Sequence, residues 1–565
     1  MSSRTVIGLL VLIVAGCGPA GEQDENAAHR PSPDAAQTLT IGITQYPATL
    51  HPAIDPMVGK LYVLAMVMRS LTHFDHQWQL TCSLCVTLPT LENGLAVLET
   101  TPDGKPGIAV TWEIKPGATW GDGVPVTSRD AVFTWEVGRH PLSGVDAAEA
   151  YRSIYDLEVL DEKRFTMHLN RRTLEYNAAT GLFLLPEHME REVFERAPGE
   201  YMHRTRYDTD PTNPGLYFGP YRITETVRGS HVKLERNPTW YGKRPFFDEI
   251  VVRAMERTTT LEANLLSGTL DMIAGELGMQ LDQALAFQRR HGDRFNVVYE
   301  RGLLYEHIDL NLENPILGDV RVRRALLHAL DREQINQQLF GGQQPVANTF
   351  VHPMDRPWTD AVPTYPFDPA RAATLLDAAG WRMSDDGIRR NAEGRPLRLE
   401  LLSTAGDKSR ELVGQVLQSQ WRQAGIDLSI RNESPRIFFG ETTRRRAFSG
   451  MAMYGIASTP EPAPRWILHS SEIPTADNNF SGLNFTGFAD AEVDRLIEAL
   501  ENELDPQARM PIWHRIQEIY ASQVPVLPLF FRTNPHILPK WLAGVRPTGH
   551  IVSSTDWVED WARVE

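Results

Sequence analysis

Residues 305–335, YEHIDLNLENPILGDVRVRRALLHALDREQI, change from the periodicity of a strand to that of a helix within one continuous stretch. In the first eight residues polar and apolar side chains alternate, with Tyr305, His307 and Asp309 on one face, which is typical of a strand. From Asp319, a suitable N-cap, apolar residues recur at helical spacing to the end of the stretch. The stretch therefore predicts a strand, a loop and one long amphipathic helix, a unit of an α/β domain.

The length and charge of the chain narrow its class. At 565 residues the chain exceeds a single compact core, so we expect two or three domains. A formal net charge of −16 argues against nucleic acid as a partner, because binding a phosphate backbone requires a basic face.

A short apolar run opens the chain. Arg4 precedes residues 6–15, which at ~1.5 Å per helical residue are too few to span a bilayer and instead match the core of a signal peptide. The run ends in Val-Ala-Gly-Cys at residues 14–17, which resembles the lipobox of bacterial lipoproteins. We therefore expect a signal peptide over 1–16 and a lipid anchor on Cys17 that holds the protein on a membrane, inner or outer. The alternative is a signal peptide followed by an unmodified cysteine.

The next residues contain almost no large apolar side chains. Residues 17–37 therefore predict a disordered tether between the anchor and the folded part of the chain. The first strand of the fold is expected directly after it, because Leu39, Ile41 and Ile43 alternate with polar residues.

Two cysteines, Cys82 and Cys85, are separated by two residues. Outside the cytoplasm such a pair favours a short-loop disulfide. A redox pair would need the N-terminus of a helix in a βαβ unit, whereas the flanking residues indicate strand and loop. A zinc site would need two further ligands at suitable spacing, and His188 with Glu192 likewise provides too few. We expect no metal and no cofactor.

Further motifs follow one another along the chain. They are IKPGATWGDGVPVTSRDAVFTW at 114–135, GPY at 219–221 followed by a hairpin, LLSGTLD at 265–271, PFDPARAATLLDAAGW at 366–381 and VPVLPLF at 524–530. Together with residues 314–335 they resemble, in the same order, the motifs of the solute-binding proteins of peptide-type ABC importers. This family binds oligopeptides, dipeptides, nickel chelates and some sugars. The resemblance extends from Leu39 to the C-terminus.

The resemblance implies an α/β fold of the two-lobe, periplasmic-binding-protein-like type with an extra subdomain inserted in the first lobe. The expected divisions are lobe 1 at 38–301, with the inserted subdomain at about 72–213, lobe 2 at 302–531, and a return to lobe 1 at 532–565.

In the resembled family two lobes close on a ligand held between them. By position, the candidate ligand-binding residues are Gln45 and Tyr46 at the end of the first strand, Tyr305 and His307 on the polar face of the crossing strand, and Tyr454 at the end of a later strand. Gln45 and Tyr46 have an alternative role as simple turn residues. His307 has an alternative role as a structural histidine.

One segment departs from the family pattern. Peptide binders of the family carry a segment similar to GWxADYxDP, whose aspartate pairs with the α-ammonium group of the ligand. Residues 454–462, YGIASTPEP, place Ser458 where that aspartate is expected. A neutral serine cannot compensate a buried ammonium group. Either Glu461 replaces the missing carboxylate or the ligand carries no α-amine. A plain surface loop is the alternative for Glu461.

The N-terminal sequence and the resemblance together imply a monomeric, lipid-anchored, extracytoplasmic protein of the periplasm or cell envelope. As the resemblance implies, it would bind a peptide or peptide-like solute and deliver it to the permease subunits of an ABC transporter. The alternative is a sensor or scavenger of the same fold that binds a non-peptide solute. An enzyme is not expected, because the chain lacks the HExxH, GxSxG and GxxxxGK[ST] signatures. The sequence leaves open whether the ligand is a peptide, an opine, a metal chelate or a sugar.

Overall fold

The computed structural model describes residues 37–146, 148–457, 459–461, 464–478, 480–550 and 552–564. The predicted signal peptide, the lipid anchor at Cys17 and almost all of the tether lie outside the described residues, as does Ser458. Within the described ranges, none of the helices combines the length and the apolar character that crossing a bilayer requires.

Strands and helices are distributed along the whole of the described chain. The strands are β1 (Thr38–Ile43), β2 (Thr72–Phe74), β3 (Leu80–Cys82), β4 (Ala96–Thr100), β5 (Pro106–Glu113), β6 (Ile154–Val159), β7 (Arg164–Leu169), β8 (Tyr221–Val227), β9 (His231–Arg236), β10 (Glu249–Ala254), β11 (Met272–Ile273), β12 (Phe295–Leu310), β13 (Arg382–Met383), β14 (Arg389–Arg390), β15 (Arg398–Thr404), β16 (Asp427–Glu433), β17 (Met451–Ala457), β18 (Val526–Pro539), β19 (Leu542–Ala543) and β20 (Ala562–Arg563).

The α-helices are α1 (Val58–Val67), α2 (Ser128–Arg139), α3 (Ala148–Arg152), α4 (Glu187–Arg196), α5 (Tyr201–Arg204), α6 (Arg206–Thr209), α7 (Thr258–Leu266), α8 (Leu281–His291), α9 (Val320–His328), α10 (Arg332–Phe340), α11 (Pro369–Ala378), α12 (Lys408–Gln423), α13 (Pro435–Ile437), α14 (Arg465–Leu468), α15 (Ala491–Asn502) and α16 (Pro506–Gln523).

One ten-stranded sheet runs through the molecule in the order β16-β15-β17-β12-β18-β11-β1-β10-β9-β8. In one half of this sheet β1 pairs in parallel with β10 and β11, and in the other half β15 pairs in parallel with β16 and β17. The two long strands β12 and β18 pair antiparallel between these ends. Strands β12 and β18 are therefore the part of the sheet that connects its two halves.

The register of β12 against β18 is interrupted between Arg301 and Tyr305. Gly549 packs beside this interruption and accepts a hydrogen bond from the backbone of Leu303 (2.9 Å). Its φ of 72° lies in the left-handed region, and a Cβ at this position would collide with the carbonyl oxygen of Arg301. Glycine is thus required here by both conformation and space.

A separate four-stranded sheet, β4-β5-β7-β6, lies within residues 72–213, the range predicted for an inserted subdomain. Helix α2 begins at Thr127, where the Thr127 and Asp130 side chains form the expected capping box. The core of this region and of the adjoining end of the large sheet includes the fully buried Trp112 and Trp120.

The prediction of one long helix after the crossing strand is wrong. The strand and the Asp319 cap are present, but residues 320–340 form two nine-residue helices rather than one long helix. Helix α9 ends at His328, and the N–H of the following Ala329 bonds to the carbonyl of Ala325. Asp331 then starts α10, since its side chain accepts a hydrogen bond from the N–H of Gln334 (2.8 Å).

Candidate functional site

A cavity of about 650 Å³ lies where β12, β17 and β18 meet the segment that follows β7. Residues 171–175 of that segment, which follow the separate four-stranded sheet, line the cavity together with residues of the large sheet. The remaining walls come from β12 (Tyr305, His307, Asp309), β17 (Tyr454, Ile456, Ala457), residues 464–468, Tyr520 of α16 and Val526 of β18, together with Phe350, Thr459, Leu483, Thr486 and Glu501. Volumes of this size are common for ligand sites.

The inner end of the cavity is built from aromatic rings on the polar face of β12. Tyr305 and His307 are stacked, with ring centroids 4.8 Å apart, and the His307 ring meets Tyr454 edge-on at 4.5 Å. The hydroxyl groups of Tyr305 and Tyr520 share a hydrogen bond of 3.0 Å. Burial raises the pKa of Tyr305, Tyr454 and Tyr520, so these phenols stay protonated at neutral pH.

Asp309 is a buried carboxylate in the same wall. Its Oδ2 accepts a hydrogen bond from the Tyr454 hydroxyl (2.6 Å), and its Oδ1 lies 3.4 Å from Nε2 of His307. Nδ1 of His307 lies 3.2 Å from the carbonyl oxygen of Tyr305. We did not predict Asp309 as a ligand-binding residue, although the alternation that selects Tyr305 and His307 places it on the same face.

The outer part of the cavity carries arginines. Arg465 makes two hydrogen bonds of 2.7 Å to the carboxylate of Glu501, so its charge is compensated. Arg171 and Arg172 are exposed on the opposite wall. A second cavity of about 410 Å³ shares Arg171, Thr173 and Glu175 with the first and is lined further by apolar and aromatic residues such as Trp112. The two cavities therefore adjoin.

The structure brings together three of the predicted site residues, since Tyr305, His307 and Tyr454 all line the larger cavity. Gln45 and Tyr46 lie elsewhere. The Gln45 side chain accepts a hydrogen bond from the N–H of Gly59 (3.0 Å) near the start of α1, and Tyr46 packs against the core of the first half. Neither is among the described residues that form the cavity wall. Both positions fit the structural role that the sequence left open.

Glu461 also lies outside the wall formed by the described residues. Its carboxylate pairs with Arg509 at 2.6 Å, and its N–H donates to the buried carboxylate of Asp355. Glu461 is thus already engaged by a cation, which leaves it poorly suited to replace a missing anchor. Ser458, the residue at the expected anchor position, is outside the described residues.

Cys82 and Cys85 are joined by a disulfide in the structure. The His188 imidazole pairs with Asp122 at 2.9 Å, and Asp122 also accepts a hydrogen bond from the N–H of Val124 within its turn. Among the described residues, no group of three or more His, Cys, Asp and Glu side chains is arranged to hold a metal ion.

Comparison with known proteins adds a family to this geometry. The model described as bacterial extracellular solute-binding proteins, family 5 Middle, matches residues 92–474. The chain is 31% identical, over 69% of its length and 70% of the relative's, to a putative ABC transporter peptide-binding protein of Brucella ovis. It is 24% identical to the oligopeptide-binding protein AppA of Bacillus subtilis, covering 96% of this chain and 95% of that protein.

Among solved structures, an oligopeptide-binding protein from Thermus thermophilus, complexed with a pentapeptide, superposes with a TM-score of 0.68 at 27% identity. The match covers 93% of this chain and 96% of that chain. The predicted α/β fold of the binding-protein type is thereby confirmed. The family model also agrees with the expectation of a binding protein rather than an enzyme.

Proposed function

The chain belongs to family 5 of the bacterial extracellular solute-binding proteins, and we propose that it binds a peptide or peptide-like solute between two closing lobes and delivers it to an ABC permease. The observation that carries this proposal is the cavity of about 650 Å³ at the strands that connect the two halves of the sheet. The adjoining second cavity suits an extended ligand better than a compact one. The peptide-binding names of the Brucella and Thermus relatives support the same ligand class.

The lobes are proposed to move about β12 and β18. These are the strands that pass from one half of the large sheet to the other, and their pairing is interrupted between Arg301 and Tyr305. An interrupted ladder has fewer backbone hydrogen bonds to resist bending, which is why we place the hinge there.

Lipid anchoring at Cys17 is a further part of the proposal, and it rests on the sequence of residues 14–17. The anchored chain would capture solute outside the cytoplasm, where the pairing of Cys82 with Cys85 is also chemically stable. An anchor keeps the binding protein close to the permease subunits in the membrane.

Native mass spectrometry of the full chain in mild detergent tests both parts. The chain is stripped of bound ligand and offered a pool of mixed pentapeptides. We expect capture of peptide masses by a protein that begins at Cys17 and carries acyl chains. A protein that ignores every peptide but is stabilised against heat by an amine-free solute would overturn peptide binding. An unmodified N-terminus would overturn the anchor alone.

A further inference from the structure

We propose that Asp309 receives a positively charged nitrogen of the ligand at the inner end of the cavity. The inference rests on the proposed function, because it assigns a role within the same site. It names the chemistry of the ligand group, an organic cation, which is either the α-ammonium group of a peptide or a cationic side chain.

The first step of the argument is the balance of charge around Asp309. Its side chain is only 5% exposed. Among the described residues, Tyr454 alone donates a hydrogen bond to it, and no lysine or arginine pairs with it. A buried carboxylate held by one neutral hydroxyl is costly, because burial removes the water that would stabilise its charge. A cation supplied by the ligand would restore the balance.

The second step concerns His307, the one basic side chain beside Asp309 among the described residues. Its Nδ1 faces the carbonyl oxygen of Tyr305, which can only accept a hydrogen bond, so Nδ1 carries the proton in the neutral ring. Nε2 then turns a lone pair toward the carboxylate of Asp309. At 3.4 Å the distance from Nε2 to Oδ1 of Asp309 is long for a hydrogen bond, so the Tyr454 hydroxyl at 2.6 Å remains the donor to this carboxylate.

The third step is the aromatic surroundings. Tyr305, Tyr454, Tyr520 and Phe350 line the cavity around Asp309. Aromatic rings attract organic cations through the negative potential of their faces, and they exclude water that would screen the carboxylate. A small inorganic cation would instead require several oxygen ligands. The inner end thus fits an ammonium or guanidinium group.

The outer part of the cavity carries an excess of positive charge. Arg171 and Arg172 are exposed there near the single carboxylate of Glu175, whereas Arg465 is already paired with Glu501. A ligand with its cation at Asp309 and an anionic group near Arg171 would match both ends. The charges thus predict an orientation as well as a ligand class.

Three peptide pools distinguish the sources of the cation. The first contains pentapeptides without Lys, Arg or His, so that the α-ammonium group is the only cation; the second is the same pool after N-acetylation; the third is acetylated but contains one lysine. Each is offered to the stripped full chain and to the variants Asp309→Asn and Asp355→Asn, with capture quantified by native mass spectrometry. Asp355 is a matched control, since it is a buried carboxylate outside the cavity wall.

We expect Asp309→Asn to weaken capture of the first pool by at least about 100-fold, the size expected when one partner of a buried ion pair is lost. Acetylation should weaken binding to the wild type by a similar factor and have little further effect on the variant. Binding of the lysine-containing pool would assign the site to a side-chain cation. The inference would be overturned if the wild type captured the first pool and its acetylated form equally well and Asp309→Asn did the same. Peptide binding itself would then still stand.

A second readout separates ligand binding from a structural role. If the role of Asp309 is to bind the cation of the ligand, Asp309→Asn should leave unchanged or raise the melting temperature of the ligand-free protein. The substitution then removes a buried charge that has no cationic partner in the absence of ligand. A fall of several degrees would mean that Asp309 holds the fold and would overturn the inference. If no pool binds the wild type, the cation site is tested by measuring the melting temperature of the wild type and of Asp309→Asn with putrescine, choline and arginine. Stabilisation that is lost in Asp309→Asn supports the cation site without peptides, and no stabilisation overturns both proposals.

Discussion

Glu306 and Asp309 are buried carboxylates three residues apart on β12, and they differ in whether cationic side chains pair with them. Glu306 is 1% exposed and lies on the face away from the cavity. Arg410 contacts its carboxylate at 2.5 Å and Arg532 at 2.8 Å. Asp309 lies on the cavity face, where a neutral tyrosine hydroxyl is its hydrogen-bond donor among the described residues. The charge of Glu306 is thus compensated by two arginines, whereas the charge of Asp309 is compensated only in part, by a neutral hydroxyl.

The difference follows from what each face must do. Arg532 also pairs with Asp407 at 2.8 Å, so the network around Glu306 joins β12, β18 and the start of α12. Such a network fixes the packing of the second half of the sheet on the crossing strands. The cavity face must remain able to accept a partner from outside, and its carboxylate cannot be neutralised in advance. One face of β12 therefore contributes to the stability of the fold, and the opposite face contributes to ligand binding.

The largest effect is expected from breaking the compensated side. Glu306→Gln removes the charge that pairs with Arg410 and Arg532, both of which stay largely buried. We expect the free energy of unfolding to fall by about 3–5 kcal/mol, measured by urea denaturation at pH 7. Glu411→Gln is the matched control, because Glu411 belongs to an exposed pair with Lys408 and should change stability by less than about 0.5 kcal/mol. Equal stabilities for the two variants would contradict this account of Glu306.

A third buried carboxylate, Asp355, sharpens the comparison through pH. Burial, with a further contribution from the charge of Glu461, raises its pKa to about 7. The folded state therefore holds this proton more tightly than the unfolded chain, in which the pKa of an aspartate is about 3.9. The contribution of Asp355 to stability is greatest below about pH 3.9 and is lost as the pH rises through the folded-state pKa of about 7. We expect Asp355→Asn to abolish this loss and to be more stable than the wild type by about 4 kcal/mol at pH 8, because each of the roughly three pKa units is worth ~1.4 kcal/mol.

Denaturation curves for both proteins between pH 4 and pH 8 provide the measurement. The stability difference should grow steadily across this range and be small at pH 4. A difference that is constant with pH would show that Asp355 does not retain its proton in the folded protein. Binding of the peptide pools should be unchanged, since Asp355 is outside the cavity wall.

The predictable part of the fold comes from local patterns. Alternation in residues 305–310 and the side chain of Asp319 act over a few residues, so the strand and the start of α9 could be predicted. The ordered series of motifs predicted the family and the α/β fold. Periodicity cannot show the break between α9 and α10, because Val322, Leu326 and Leu330 keep helical spacing into it. An aspartate such as Asp331 also fits the polar face inside a longer helix, although here it caps α10.

The predictable part of the site is smaller, because a site is made by contacts between distant residues. Tyr305 meets Tyr520, which is 215 positions away along the chain, and Asp309 meets Tyr454 across the β12–β17 pairing. Position at a strand end selected Gln45 and Tyr46, yet that strand end packs against α1 rather than the cavity. Alternation alone would have added Asp309 to the candidates. Its lack of a lysine or arginine partner among the described residues becomes visible only in three dimensions.

The smallest effect is expected within the cavity face itself. Tyr520→Phe removes the hydrogen bond between two neutral hydroxyl groups, so the free energy of unfolding should fall by about 1 kcal/mol. Tyr454→Phe is the comparison, because it removes a hydrogen bond to the charged Asp309 and should cost about 2 kcal/mol. Urea denaturation of the ligand-free proteins measures both. A loss of 3 kcal/mol or more (roughly the loss of a buried ion-pair partner) for Tyr520→Phe would mean that the cavity face is a structural network like that of Glu306, and the contrast between the two faces of β12 would fail.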